Sequence, residues 1–99
     1  MDGLDIRLEE GDERWVLRLA GTLDGRTAPA VIDAVRELPF VPLTVDFSQV
    51  RTFVDLSVDA LTRALRDRPV SLTGLGRHQA RMFRYFGLRT VEVEQPIEA

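Results

Sequence analysis

Residues Val45–Arg68 read VDFSQVRTFVDLSVDALTRALRDR, an apolar strand followed by a polar turn and an amphipathic helix. Asp55 and Ser57 in the turn are both good helix N-caps, because their side-chain oxygens accept hydrogen bonds from the free amides of a first helical turn. Asp59 adds negative charge where the helix dipole favours it. The stretch therefore predicts an acidic turn with a serine hydroxyl at or near a helix N-terminus, and the rest of the chain as its scaffold.

The composition is that of an ordinary globular protein, with 99 residues of which 44% are hydrophobic and 29% charged. This length predicts one domain over residues 1–99. The absence of cysteine excludes disulfides and thiolate metal sites. No apolar run approaches the roughly 20 residues of a membrane span, and the acidic start MDGLDIRLEE does not read as a signal peptide. We therefore expect a cytoplasmic protein with no direct membrane insertion.

The charge of the chain argues against nucleic acid as its main partner, because the formal net charge is −3. All 13 basic residues are arginine. Arginine can serve bidentate recognition of carboxylates or phosphates, but codon usage in a GC-rich genome explains the bias more simply.

The first third of the chain predicts a hairpin and a helix. Apolar and polar residues alternate over Leu4–Glu9 and again over Trp15–Ala20, with a turn signal between them, which indicates two antiparallel strands. Thr27 is a candidate N-cap for a helix whose apolar residues keep helical spacing, and Pro39 ends that helix.

The remaining elements alternate between strands and helices. We predict strands over Phe40–Phe47, Val70–Thr73 and Thr90–Glu94, and helices over Ser57–Arg68 and Arg77–Phe86. The order β-β-α-β-α-β-α-β predicts an α/β fold with a single, mixed and mostly parallel sheet of about five strands and about three helices. Gly87 is expected to end the third helix in the left-handed backbone region.

Five sequence segments give the chain a resemblance to a known family. They occur in family order and span nearly the whole chain: GTLD at 21–24, TAPAVIDAV at 27–35, VDFSQV at 45–50, FVDLSVDAL at 53–61 and RMFRYFGL at 81–88. On these segments the chain resembles the STAS domain, the family of sulfate-transporter and anti-sigma-factor-antagonist domains.

The resemblance implies a phosphorylation site at the turn. The family usually carries Asp-Ser-Ser/Thr-Gly-Leu there, and its bacterial regulators are phosphorylated on the second hydroxyl residue. Asp55 matches the aspartate and Ser57 falls on the phosphorylated position, whereas Leu56 replaces the first hydroxyl and Val58 replaces the glycine. We expect Ser57 to lie exposed at the surface, within one turn of a helix N-terminus and at the end of a strand.

Two further aspartates match family motifs. Asp24 corresponds to the aspartate of the GELD motif, in a loop that the topology could bring beside Ser57. Asp46 corresponds to the aspartate of the DLS motif, and we expect a structural role in which it bonds local amides. The predicted partner-binding residues are Asp24, Asp55, Leu56, Val58 and Asp59.

The implied function is regulation by protein binding, without catalysis and without a cofactor or metal. In the bacterial regulators of this family, the unmodified domain captures an anti-sigma serine kinase, and phosphorylation of the serine releases it. The alternative is a constitutive, non-phosphorylated subunit of a bacterial lipid-transport ATPase complex, which the departures at Leu56 and Val58 favour. A small hydrolase using Ser57 with His78 is a third possibility, but no second indication supports it.

Two features of the third predicted helix are open to more than one interpretation. His78 is the only histidine, and we expect it to be a solvated surface residue. Arg77, Arg81 and Arg84 share one stripe of the helix; such stripes are usually solvated faces, and this one could also meet an acidic partner surface.

Overall fold

The computed structural model describes residues 3–88, which form four strands and three helices. In chain order these are β1 (Leu4–Glu9), β2 (Trp15–Leu23), α1 (Ala28–Arg36), β3 (Leu43–Phe53), α2 (Leu56–Leu65), β4 (Val70–Thr73) and α3 (Arg77–Tyr85). The element order confirms the α/β prediction. The strand predicted over Thr90–Glu94 lies outside the described residues.

The four strands form one mixed sheet in the order β1-β2-β3-β4. β1 and β2 pair antiparallel as the predicted hairpin. β2 pairs parallel with β3, and β3 pairs parallel with β4. Because α1 and α2 each connect two adjacent parallel strands, they are crossover helices.

The core lies between the sheet and the helices. Alternate residues of the strands face it, including Leu17, Val45 and Leu72, all nearly inaccessible to water. The intervening residues of the same strands, such as Arg18 and Asp46, form polar pairs on the other side of the sheet. The alternation of apolar and polar residues along each strand thus gives the sheet one apolar face, which packs against the helices.

Three aromatic rings anchor the far end of β3. The ring centroid of Phe47 lies 5.5 Å from that of Phe53 and 5.8 Å from that of Phe83 on α3, and the Phe53 and Phe83 centroids are 6.1 Å apart. Aromatic pairs at these separations attract each other beyond their buried area. This cluster holds α3 against the end of β3 that leads into α2.

The boundaries of β3 and α2 differ from the sequence prediction. β3 begins at Leu43 and continues to Phe53 instead of spanning Phe40–Phe47, because β2 pairs with it as far as the Leu23–Phe53 partners, through two register shifts. α2 ends at Leu65 rather than Arg68. Pro69 disfavours the helical conformation of the residue before it, so the chain leaves the helix before β4.

The prediction for Gly87 is confirmed. α3 ends at Tyr85, and Gly87 has a φ of 106°. Glycine accepts this left-handed conformation without the steric cost that a side chain adds.

Candidate functional site

Three loops converge at one end of the sheet. They follow the parallel strands β2, β3 and β4 and comprise Asp24–Thr27, Val54–Asp55 and Gly74–Gly76. The carboxyl ends of parallel strands meet at the same side of a sheet, which is where α/β domains commonly bind their ligands. We call these loops, together with the first turns of α2 and α3 and the end of β3, the carboxyl-end surface.

Ser57 lies in the first turn of α2, as the sequence predicted, but it is not exposed. Its residue exposure is 2%, and its hydroxyl donates a hydrogen bond to the carbonyl oxygen of Val54 at 2.7 Å. The expectation of surface exposure is therefore wrong. The helix begins one residue after Asp55, so Ser57 is already the second helical residue and turns toward the core.

Leu56 and Val58, the two departures from the family pattern, have opposite surroundings. Leu56 is the first residue of α2 and is 82% exposed. Val58 is completely buried, in helical register with the buried residues Leu61 and Leu65. The prediction that Val58 contacts a partner is therefore wrong, because this side chain belongs to the core under α2.

Asp24 bonds the turn before α1. Its carboxylate oxygen Oδ1 accepts hydrogen bonds from the backbone N–H groups of Arg26 at 2.9 Å and Thr27 at 3.1 Å. The Arg26 amide bond is the largest influence that lowers the pKa of the Asp24 carboxyl. Thr27, the predicted cap, makes no side-chain capping bond; its hydroxyl donates to the carbonyl oxygen of Thr22 at 2.9 Å.

The topology brings the Asp24 loop beside the start of α2, as the sequence suggested. The backbone N–H of Val54 donates to the carbonyl oxygen of Leu23 at 2.9 Å, directly before Asp24. The Asp24 loop and the turn that carries Asp55 are therefore neighbours on the carboxyl-end surface.

The other two predicted recognition aspartates are engaged within the chain. Asp55 is the N-cap residue of α2 but makes no side-chain capping bond; its Oδ2 lies 3.0 Å from Nε2 of His78 on α3. Asp59 accepts a hydrogen bond from Arg63 at 2.9 Å, one helical turn later. His78 is exposed, as expected, but its contact with Asp55 has no signal in the sequence because the two residues are 23 positions apart.

Asp46 has the structural role that the sequence predicted. Its Oδ1 accepts from the backbone N–H of Ser48 at 3.0 Å, and its Oδ2 accepts from Arg18 at 2.7 Å. Burial by itself would raise the pKa of this carboxyl, but the hydrogen bonds from Ser48 and the Arg18 guanidinium together outweigh burial and lower the pKa. Arg18 also bonds Glu9 at 2.9 Å, so the network joins β1, β2 and β3.

A small open cavity of about 260 Å³ lies on the carboxyl-end surface. Phe47 and Leu75 contribute to its walls, together with Arg51, Gln79 and the backbone of Gly74. Within residues 3–88, no group of three or more histidine, aspartate or glutamate side chains is placed to hold a metal ion. In the same part of the chain, no helix has the length and apolar character needed to cross a membrane.

The fold and this surface define an α/β domain of the STAS type. Residues 6–94 match the family model described as "Mlab, STAS domain". The chain therefore belongs to this family, and the resemblance seen in its sequence segments is confirmed. No curated protein matches the chain at a significant level of sequence similarity.

Solved structures share the fold across almost the whole chain. An anti-sigma factor antagonist from Mycobacterium paratuberculosis is 22% identical, with 93% of this chain and 86% of that chain covered and a TM-score of 0.72. A variant of RsbS from Moorella thermoacetica is 18% identical, with 91% and 87% covered and a TM-score of 0.62. The anti-sigma factor antagonist SpoIIAA in its unphosphorylated form is 17% identical, with 92% and 89% covered and a TM-score of 0.61.

Proposed function

We propose that this protein is a cytoplasmic binding module that holds a protein partner at its carboxyl-end surface and catalyses no reaction. The observation that carries the proposal is the exposure of Leu56 at the first position of α2, beside the exposed Val54. Burial of a leucine side chain contributes about 1.5–3 kcal/mol. A partner that covers this turn therefore gains affinity from an apolar side chain that the fold itself leaves in water.

The geometry of Ser57 favours constitutive binding over a phosphorylation switch. A kinase must reach the hydroxyl, but this hydroxyl is buried and donates to the Val54 carbonyl oxygen, which also accepts the Ser57 backbone N–H at 3.0 Å. Phosphorylation requires the first turn of α2 to open and both bonds to break. The alternative suggested by the sequence, a constitutive subunit of a lipid-transport ATPase complex, fits a binding surface that does not depend on this hydroxyl.

A phosphorylation-switched antagonist of an anti-sigma kinase is the second candidate. Two observations favour it: Ser57 lies within the first turn of a helix, and solved structures of similar fold are named anti-sigma factor antagonists. Once the turn has opened, a phosphate on Ser57 would lie near helix N-terminal amides, where negative charge is favoured. The partner would then be a serine kinase, and the modified protein would release it.

Calorimetric titration tests the binding surface. The titrant is any serine kinase or transporter ATPase that a neighbouring gene encodes, in purified form. Leu56→Ala is expected to weaken binding about tenfold or more, because a central apolar anchor is lost. Tyr85→Ala is the matched control, since Tyr85 is 83% exposed at the other end of α3. Equal affinities for wild type and Leu56→Ala would contradict the proposal.

Phosphorylation is tested separately by incubating the native protein with the serine kinase and ATP and measuring its intact mass. Constitutive binding predicts no added phosphate under native conditions. One phosphate per chain in the wild type and none in Ser57→Ala would establish the switched antagonist instead.

A further inference from the structure

The three aspartates of the carboxyl-end surface are held by groups within the chain. Asp24 is bonded by the backbone amides of the turn before α1, and the neighbouring Arg26 guanidinium adds attraction that lowers the pKa of Asp24 further. Asp55 is paired with His78, and Asp59 with Arg63. A partner would have to compete with these bonds to use the carboxylates, so they are poorly suited to recognise a basic partner.

Two arginines of the same surface are in a different position. Arg51, near the end of β3, and Arg77, the first residue of α3, are both exposed. Among residues 3–88, neither takes part in an ion pair within 4.0 Å. They are close in space, because Arg51, Gly76 and Gln79 line the same cavity and Arg77 directly follows Gly76.

We infer that Arg51 and Arg77 form the charged contacts of the carboxyl-end surface and that the partner meets them with acidic side chains placed around an apolar recess for Leu56. This inference rests on the proposed function. It assigns recognition to arginines instead of the aspartates predicted as partner-binding residues, and it takes up the acidic partner surface that the sequence allowed for Arg77. Leu56 directly follows Asp55, and the Asp55 carboxylate lies against His78, which directly follows Arg77. The exposed Leu56 and the exposed Arg77 therefore lie on the same surface.

An acidic protein fits this surface better than other anionic partners do. The chain as a whole carries a net charge of −3, so nucleic acid and anionic membranes are repelled by the rest of the molecule. A protein partner can be acidic only where it meets Arg51 and Arg77. Complementary charge at an interface steers encounter and suppresses wrong partners, which gives these arginines a role in specificity.

The experiment uses two synthetic helical peptides with the same leucine stripe, one flanked by glutamates and the other by lysines. Binding to the full ¹⁵N-labelled chain is followed by amide chemical shifts. The glutamate peptide is expected to shift the signals of Arg51, Leu56 and Arg77, and to bind more weakly as salt is raised. Arg51→Glu/Arg77→Glu should reduce its affinity about tenfold or more.

The matched control is Arg36→Glu/Arg84→Glu, which changes the net charge equally. Both residues lie in the last turns of α1 and α3, at the opposite end of the helices from the carboxyl-end surface. The control should bind the glutamate peptide as the wild type does, and circular dichroism verifies that both double variants are folded.

Three outcomes would overturn the inference: the lysine peptide binds as tightly as the glutamate peptide, neither peptide shifts these signals, or both double variants lose affinity equally. The inference would also be overturned if the wild type and the control variant sediment with phosphatidylglycerol vesicles and Arg51→Glu/Arg77→Glu does not. That result would assign the surface to a membrane. If Leu56→Ala abolishes binding to the protein partner in calorimetry but Arg51→Glu/Arg77→Glu does not, the proposed function stands and this inference alone is rejected.

Discussion

Nε2 of His78 lies 3.0 Å from Oδ2 of Asp55, so the first turn of α3 is bonded to the N-cap residue of α2. Both side chains are partly exposed, and the histidine is charged only when protonated. The contact fixes two of the three loops of the carboxyl-end surface relative to each other. It also occupies the aspartate that the family motif places beside Ser57.

A double-mutant cycle with Asp55→Ala and His78→Ala should give a coupling energy of about 0.2–1 kcal/mol, as for other exposed pairs. Urea denaturation of the wild type, the two single variants and the double variant measures this coupling energy. A coupling energy of zero would show that the contact between the two loops adds nothing to stability.

Introducing a charge at Ser57 should destabilise the fold, whereas the same charge one residue earlier should not. Ser57→Asp places a carboxylate in a buried position and is expected to cost about 3 kcal/mol or more. Leu56→Asp is the control, since an exposed aspartate in the first turn of a helix is favoured by the dipole. Ser57→Ala should cost only about 1 kcal/mol. Urea denaturation compares the three, and equal stability of the two aspartate variants would show that the turn opens readily.

Arg68 should matter for stability, although it is an arginine near the surface. Its guanidinium donates to the carbonyl oxygens of Pro39 at 3.0 Å, Leu38 at 3.2 Å and Val35 at 3.3 Å, which satisfies the C-terminal end of α1. Its charged carbon also lies 5.9 Å from the centroid of the Phe40 ring. Loss of these bonds in Arg68→Ala is expected to cost about 1–3 kcal/mol.

Thermal denaturation of Arg68→Ala and Phe40→Ala separates the two contributions to this stability. A small effect of Phe40→Ala beside a large effect of Arg68→Ala assigns the stability to the carbonyl bonds. An equally large loss in Phe40→Ala would assign it to the contact between the Arg68 guanidinium and the Phe40 ring instead.

The hydrogen bonds of Asp46 should make the free energy of unfolding fall at acid pH. Its pKa is lower in the folded protein than in the unfolded chain, so the folded state binds fewer protons. The stabilisation is therefore present above the unfolded pKa of about 4 and is lost as pH falls through the folded value. Asp46→Asn should flatten the fall in stability between about pH 5 and 2, while Asp33→Asn, at an exposed position on α1, should follow the wild type. Parallel curves for all three proteins would contradict this role.

Local patterns predicted the elements wherever burial alternates regularly. Leu4, Ile6 and Leu8 gave β1 at its observed bounds, and the spacing of apolar residues gave the position of all three helices. The end of β3 was missed because the polar residues between Val50 and Phe53 do not alternate clearly. That segment is a strand because β2 supplies its hydrogen bonds, and pairing with a distant strand leaves no local signal.

The candidate site was only partly predictable for the same reason. The sequence placed Ser57 correctly within the first turn of α2 and directed attention to Leu56. It did not show that His78 would bond Asp55, or that Asp24 would bond the amides of the turn before α1 while Thr27 makes no capping bond. Hydrogen-bond partners of polar side chains depend on which loops the topology brings together.

By itself, the sequence determined the order of the elements, the single mixed sheet and the membership in the STAS domain family, because these follow from apolar periodicity and from segments in a fixed order. Only the tertiary structure decided which residues at the start of α2 meet solvent. Successive helical residues are rotated by about 100°, so the packing of Val58 and Leu61 in the core turns Ser57 inward and leaves Leu56 outside. The predicted helix start, Ser57, differs from the observed start, Leu56, by one residue, and local sequence does not show which of the two faces the core.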